Sequence, residues 1–321
     1  MHVLLADSID PAGERRLAEG GAKVTLAPDG NPGTIRALAR ESDAIITRSR
    51  LPDDIFDAAP RVRAVAIHGT GIDLVPLQAA TARGIMVSNI PGGNAQSVAE
   101  YCVLAMILLA RNTLAIVSSL KNSSWDAARA MGAGTHEIAG MTVGIVGVGA
   151  IGSRVARIAR RGFGMRVLGN RRSLERLPPE ALPADLGTLL KASDFVVLAC
   201  PLTPETHHLF DRDRIGRMKK SGWLINVGRG PVVEEAALVE ALREKRIAGA
   251  MLDVYEHYRL EPGHPLFSLD NAILTPHLSG MTTESRERMG VAAAEEMLRM
   301  LAGEAPRNFV NPQARREKVD R

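Results

Sequence analysis

Short apolar runs, many of them β-branched, alternate along this chain with longer stretches in which apolar positions recur every three or four residues. In the first third the short runs are His2 to Ala6, Lys23 to Leu26, Ala44 to Thr47, Ala64 to His68 and Ile85 to Val87. Each is too short for a helix and reads as a buried strand. Between them Pro11 to Glu19, Thr34 to Glu41 and Pro76 to Arg83 read as helices. A second set of apolar runs covers Met141 to Val146, Met165 to Gly169, Phe195 to Cys200, Trp223 to Val227, Ala248 to Asp253 and Ala272 to Thr275. Strand–helix alternation on this scale predicts an α/β fold of doubly wound parallel sheets.

Three further stretches carry expectations. Ser97 opens what reads as one helix from Val98 to about Lys121. It is apolar nearly all round between Tyr101 and Leu109, so it requires cover on most sides, from another domain or another subunit. Asn122 to His136 reads as a polar, glycine-bearing loop, and Thr282 to about Leu301 as the last helix, followed by a polar tail.

The most informative break follows the run ending at Val146. There Gly147-Val148-Gly149-Ala150-Ile151-Gly152 leads into a stretch with Ile151, Val155 and Ile158 at helical spacing. Strand, G-x-G-x-x-G, helix is the dinucleotide fingerprint. The first glycine makes the turn, the second admits a pyrophosphate, and the third lets helix and strand pack closely. At the end of the next strand, 18 residues past Gly152, an enzyme selective for NAD would carry an acid. Here the chain reads Asn170-Arg171-Arg172-Ser173. An acid would repel a 2′-phosphate, whereas Arg171 could hold it with paired N–H donors, so the segment predicts NADP(H) in preference to NAD(H).

Composition narrows the partners. The 321 residues are 45% hydrophobic and 24% charged, with a net charge of +4 and only 3% aromatics. That describes an ordinary globular chain without the aromatic platform or basic concentration expected of a nucleic-acid binder. Cys102 and Cys200 lie in apolar runs at no metal-ligand spacing, so they read as core residues in a reducing compartment and no metal is expected. The longest apolar stretch, Tyr101 to Ala110, is half a membrane span, and the opening Met1-His2-Val3-Leu4 has no basic leader. A cytoplasmic protein with no membrane partner is the expectation.

Candidate chemistry gathers at strand ends, where open α/β sheets bind ligands. Gly228-Arg229-Gly230 sets one long cation between two flexible residues, able to hold a carboxylate with paired donors. His277, after Thr275-Pro276, could give a proton to a developing alkoxide and take it back in reverse. Gly69-Thr70-Gly71 exposes amides after another strand, although a plain turn explains it equally well.

These pieces fall in one order: Asn89-Ile90-Pro91-Gly92-Gly93-Asn94-Ala95-Gln96-Ser97-Val98-Ala99-Glu100, the fingerprint, Asn226-Val227-Gly228-Arg229-Gly230, Leu252-Asp253-Val254 and Leu274-Thr275-Pro276-His277. The set resembles the D-isomer-specific 2-hydroxyacid dehydrogenase family, in particular its NADP-preferring glyoxylate/hydroxypyruvate reductase branch. That resemblance implies a Rossmann cofactor domain at 99–287 inserted in a flavodoxin-like substrate domain built from 1–98 and 288–321. It also implies a homodimer with the active site in a cleft. Arg229 would anchor the substrate carboxylate and carbonyl, and His277 would be the acid/base. Arg48, Gly69, Thr70 and Gly71 would line the substrate. Besides the fingerprint and residues 170–173, cofactor contacts are implied from Cys200, Pro201, Thr206, Val227, Gly228, Asp253 and Gly280.

One position departs from the family pattern. The Glu that ordinarily supports the catalytic His falls, read without gaps, on Tyr258, while Glu256 and Glu261 flank the slot. Without a carboxylate there, His277 is expected to titrate nearer its reference value of about 6.5, so reduction falls off earlier as pH rises. The reading is a reductase of small 2-keto acids, glyoxylate or hydroxypyruvate first, giving D-2-hydroxy acids. The competing reading is a dinucleotide-sensing interaction protein on the same fold with catalysis reduced or lost.

Overall fold

The computed structural model describes residues 1–316, so residues 317–321 of the expected 288–321 return lie outside it. The chain divides into two compact units, Met1–Asn94 together with the chain from Met281 onward, and Ala95–Gly280.

The first unit holds strands β1 (His2–Leu5), β2 (Lys23–Leu26), β3 (Ala44–Thr47), β4 (Ala64–Ile67) and β5 (Met86–Asn89). They form one parallel sheet in the order β2-β1-β3-β4-β5. Both faces are covered, which is why β3 and β4 are apolar without alternation. Leu4, Ile45, Val65 and Val87 pack on one side with Ile35, Ile55 and Phe56. Val3, Leu5, Ile46 and Ala66 pack on the other against Leu17, Met289, Ala293 and Met297. The last three belong to the helix Thr283–Leu301, so a late segment completes an early core. Thr282 caps that helix, its hydroxyl accepting the Ser285 amide at 3.2 Å while Ser285 Oγ accepts the Thr282 amide at 3.1 Å.

The second unit holds β6 (Thr142–Val146), β7 (Arg166–Asn170), β8 (Leu182–Pro183), β9 (Phe195–Leu198), β10 (Trp223–Asn226), β11 (Gly249–Leu252) and β12 (Ala272–Leu274). All are parallel, in the order β12-β11-β10-β9-β6-β7-β8. Strand order reverses beside β6, the position at which such sheets open a crevice for a nucleotide. Ile145, Val167, Phe195 and Ile225 pack against Val98, Met106, Val155 and Ala159. Val146, Val196, Leu224 and Leu252 pack against Leu189, Leu190, Leu238 and Leu242.

Two expectations need correction. The stretch from Val98 to Lys121 is two helices, Ala95–Arg111 and Thr113–Asn122, bent by 55° at Asn112. Asn112 adopts φ 47°, a left-handed backbone that asparagine tolerates better than most residues. Leu104 within the apolar stretch, and Leu114, Val117, Leu120 and Trp125 beyond it, are exposed on the single chain. The supposed loop after Asn122 holds a helix, Trp125–Ala130, whose Ser124 cap accepts the Ala127 amide at 3.1 Å, and a 3-10 turn, Met131–Gly134. Among the described residues no single helix is long and apolar enough to cross a membrane.

Candidate active site

The fingerprint glycines differ in what surrounds them, and each difference matches a separate demand. Gly147 follows β6 with φ 95°, and a Cβ there would stand 2.4 Å from the Cys200 amide nitrogen. A Cβ on Gly152 would stand 2.6 Å from the Gly147 carbonyl oxygen. A Cβ on Gly149 would meet open space. Two of the three are therefore required by packing within the chain. The third leaves the start of the helix Ala150–Phe163 open to a ligand, where unpaired amides favour an anion. This cradle fits a dinucleotide pyrophosphate.

The other cofactor candidates converge on this turn through the backbone. Gly147 donates its amide to the Asn170 carbonyl at the end of β7, at 2.9 Å. Cys200 lies beneath Gly147, and a Cβ on Gly228 would stand 2.8 Å from the Cys200 carbonyl. Val227, between β10 and Gly228, is buried. Thr206 closes the turn after Cys200, its hydroxyl donating to the Pro201 carbonyl at 2.7 Å and accepting the Thr203 amide at 2.7 Å. Burial pushes the Cys200 thiol up to about 11, so it stays protonated at neutral pH.

Residues 170–173 divide into inward and outward groups. Asn170 Nδ2 donates to the Ala184 carbonyl at 2.9 Å, and Arg171 Nη1 donates to the Val148 and Arg176 carbonyls at 2.9 and 2.8 Å. Arg171 thus braces the glycine turn itself, a role the spacing alone did not indicate. Arg172 is exposed, and its charge helps to hold the Glu205 carboxyl below its ordinary range, after the Thr203 hydroxyl and the Glu205 amide.

Around β10 the loop is shaped by Asn226. Its buried side chain accepts the Gly228 amide at 3.1 Å and donates to the Arg229 carbonyl at 3.1 Å, folding the chain so that the Arg229 backbone is extended. Arg229 Nη1 donates to the Gly228 carbonyl at 3.0 Å. At Gly230 a Cβ would fall 1.6 Å from the Tyr255 carbonyl oxygen, so no side chain fits there.

His277 sits past β12 in a left-handed conformation, φ 54°, with its amide donating to the Asp253 and Thr275 carbonyls at 2.9 and 3.0 Å. Asp253 is fully buried. Its carboxylate accepts the Thr275 hydroxyl at 2.7 Å, the Leu278 amide at 2.8 Å and the Ser279 amide at 2.9 Å. Asp253, implied by resemblance as a cofactor contact, thus holds the loop that carries His277. Tyr101 reinforces that loop through a hydrogen bond between its hydroxyl and Thr275 Oγ1.

Tyr258 lies beside His277, their ring centroids 6.0 Å apart and the planes at 71°, an edge-on arrangement. Of the two flanking acids, Glu256 is engaged with His208 at 2.8 Å. Glu261 is exposed, its carbonyl accepting the His264 amide at 3.0 Å.

In the first unit, Gly69-Thr70-Gly71 follows β4, with the Gly69 carbonyl accepting the Ile90 amide at 2.8 Å and the Thr70 carbonyl accepting Asn89 Nδ2 at 2.7 Å. The Arg48 amide donates to Asp7 Oδ2 at 2.8 Å. His68, a residue with no motif to mark it, is buried and falls between these two segments in sequence. Burial, aided by the Arg48 charge, pushes its imidazole down to about 4, so it is neutral at physiological pH. Its position immediately before the glycine loop was the one signal available.

Comparison with known proteins identifies the family. Residues 103–279 match the model of the D-isomer specific 2-hydroxyacid dehydrogenase NAD binding domain. The glyoxylate reductase of Aeropyrum pernix is 39% identical over 290 residues, covering 87% of this chain and 85% of that protein. A solved NADPH-dependent glyoxylate/hydroxypyruvate reductase from Sinorhizobium meliloti, in complex with NADP and malonate, superposes with a TM-score of 0.84 at 28% identity, covering 98% of this chain and 97% of its own. An NAD-dependent formate dehydrogenase from Staphylococcus aureus with NAD bound superposes with a TM-score of 0.85 at 27% identity, covering 95% and 96% of the two chains.

Proposed function

Because this chain belongs to the D-isomer-specific 2-hydroxyacid dehydrogenase family, we propose that it reduces glyoxylate or hydroxypyruvate with NADPH, through Arg229 and His277. Its coarser activity, NAD(P)-dependent reduction of a keto acid, follows from the family and its glyoxylate reductase relatives. The observation that carries the finer reading is the convergence of the open Gly149 turn, the Arg229 loop and the His277 loop on the carboxyl ends of one sheet.

A reduced nicotinamide supplies the hydride when bound. Gly147, Gly149, Ala150, Ile151 and Gly152 would hold its pyrophosphate, with the walls of the cofactor site from Cys200, Pro201, Thr206, Val227, Gly228 and Gly280. Arg229 pairs with the substrate carboxylate and draws charge from the carbonyl oxygen. His277 gives that oxygen a proton, and Asp253 holds the loop from which it does so. Arg48 and the loop from Gly69 to Gly71 are assigned to the substrate by resemblance. Oxidation of NADPH and of NADH with glyoxylate, hydroxypyruvate, pyruvate and an aryl-pyruvate tests the reading. Turnover is expected on the first two with NADPH; tight NADPH binding without turnover on any of them would favour a dinucleotide sensor.

NADPH preference is assigned to the outward half of the 170–173 segment. Because Arg171 supports the glycine turn, its loss should weaken both cofactors, whereas Arg172 and Ser173 are the groups left for a 2′-phosphate. Arg172→Ala is expected to weaken NADPH by about ten- to a hundredfold, the worth of one charge-assisted contact, and to leave NADH unchanged. Fluorescence titration with each cofactor reads the difference, and equal losses would remove the phosphate assignment.

A homodimer is the accompanying proposal. Leu114, Val117 and Leu120 recur at three-residue spacing on the helix Thr113–Asn122, and with Leu104 and Trp125 they present exposed apolar surface of the kind that marks an interface. Light scattering is expected to give twice the chain mass for the native protein and a single mass for Val117→Glu. A native monomer would refute it.

A further inference from the structure

Between Tyr255 and His264 the chain leaves β11 and forms an arch that returns to the 3-10 turn Pro265–Ser268. The crown of the arch, His257 to Arg259, is exposed and carries Tyr258 to the edge of the His277 ring. Both feet rest on a single carboxylate. Glu235, the first residue of the helix Glu235–Arg243, accepts the Glu256 amide on Oε2 at 3.1 Å. Its Oε1 lies 3.0 Å from His264 Nε2. His264 Nδ1 accepts the Leu266 amide at 3.3 Å, so the ring hydrogen of the neutral imidazole belongs on Nε2 and points at Glu235. Glu256 returns the contact: its Oε2 accepts the Glu235 amide at 3.3 Å and its Oε1 pairs with His208 Nε2 at 2.8 Å. Nearer β11, the Tyr255 hydroxyl donates to the Thr275 carbonyl at 2.8 Å, tying the same foot to the approach of His277.

An acid in the first turn of a helix is ordinarily explained by the helix dipole. That accounts for neither half of this arrangement, in which one carboxylate receives a donor from each end of a loop and is itself largely buried. We propose that Glu235 is a positioning residue for the reduction: it closes the arch, and the closed arch holds Tyr258 against His277. The proposal rests on His277 as the proton donor. It gives the tyrosine slot a physical function, orientation of the imidazole by packing, since Glu256 is turned away to His208. Glutamine cannot replace Glu235, because the two donors meet different oxygens and the amide nitrogen that would take the place of one of them donates rather than accepts.

The test is a double-mutant cycle on the full chain, with Glu235→Ala, Tyr258→Ala and the pair, read as kcat and KM for the keto acid at saturating NADPH. Each single change is expected to lower kcat by about ten- to a hundredfold, the scale of a small misplacement of a reacting group, with the KM for NADPH, read in a second series at saturating keto acid, unchanged. The pair should be no worse than the more severe single change, because Glu235 acts only through Tyr258. The solvent deuterium isotope effect on kcat should rise in all three as proton donation becomes limiting. Multiplying losses, or an unchanged isotope effect, would overturn the proposal. If Glu235→Ala does not fold, His264→Ala frees one foot alone and takes its place in the cycle with the same expected coupling. Failure of the underlying reading shows separately, as retained turnover in His277→Ala, and does not touch the coupling between the arch residues.

Discussion

His277→Ala is expected to lower kcat for keto-acid reduction by about 10²–10⁴-fold, the usual worth of a positioned acid, while NADPH binds as before. Its selectivity comes from the way the loop is held. The His277 amide is fixed by the Asp253 and Thr275 carbonyls, and the following amides of Leu278 and Ser279 by the Asp253 carboxylate. None of these bonds uses the imidazole. Alanine at φ 54° does carry a backbone cost of about 1–2 kcal/mol. His277→Asn is the control, since asparagine accepts that conformation but gives no proton at neutral pH. Both variants should lose turnover alike, with NADPH titration and thermal unfolding distinguishing a damaged loop from a missing acid. Turnover at the native rate in either would sink the assignment.

Gly230→Ala should do as much harm without removing any functional group. Its methyl would stand 1.6 Å from the Tyr255 oxygen and 1.8 Å from the carbonyl carbon, both backbone atoms with no rotamer to escape into. Either the Arg229 loop or the foot of the arch must move. A shift near 1 Å at a reacting group costs about a hundredfold in rate, and forced overpacking about 1–3 kcal/mol in stability. The expected result is a fall in kcat/KM of about a hundredfold with a lowered Tm. Native kinetics in Gly230→Ala would mean that this close approach is not what places Arg229.

What the sequence discloses and what it hides follow one physical division. The strand Ala44–Thr47 is legible to the residue, because a parallel strand covered on both faces is an apolar run bounded by turns. Gly147, Gly149 and Gly152 are legible through their fixed spacing after a strand, although the Cys200 backbone that Gly147 abuts comes from a distant segment. The break at Asn112 is not, since the apolar pattern continues through Leu114 and Leu120 and one left-handed residue leaves no periodic trace. Ser124 before Trp125-Asp126 was a readable cap, overshadowed by the glycines at 132 and 134. Arg171 turning to Val148, and Glu235 joining Glu256 to His264, depend on contacts between distant segments, which spacing cannot encode.

The helix Thr283–Leu301 has a consequence for how the protein is made. One face of the first sheet, lined by Val3, Leu5, Ile46 and Ala66, is covered by Met289, Ala293 and Met297. During synthesis that sheet leaves the ribosome long before its cover exists, with the whole of Ala95–Gly280 translated in between. At about 5–20 residues per second the bare face waits roughly 10–40 s, long enough for the inserted unit to fold first. The nascent chain is then most open to aggregation and to chaperone capture at its oldest segment. A ribosome-bound chain ending at residue 282, followed by a linker long enough to clear the exit tunnel, should have a second unit that resists protease and a first that is cut.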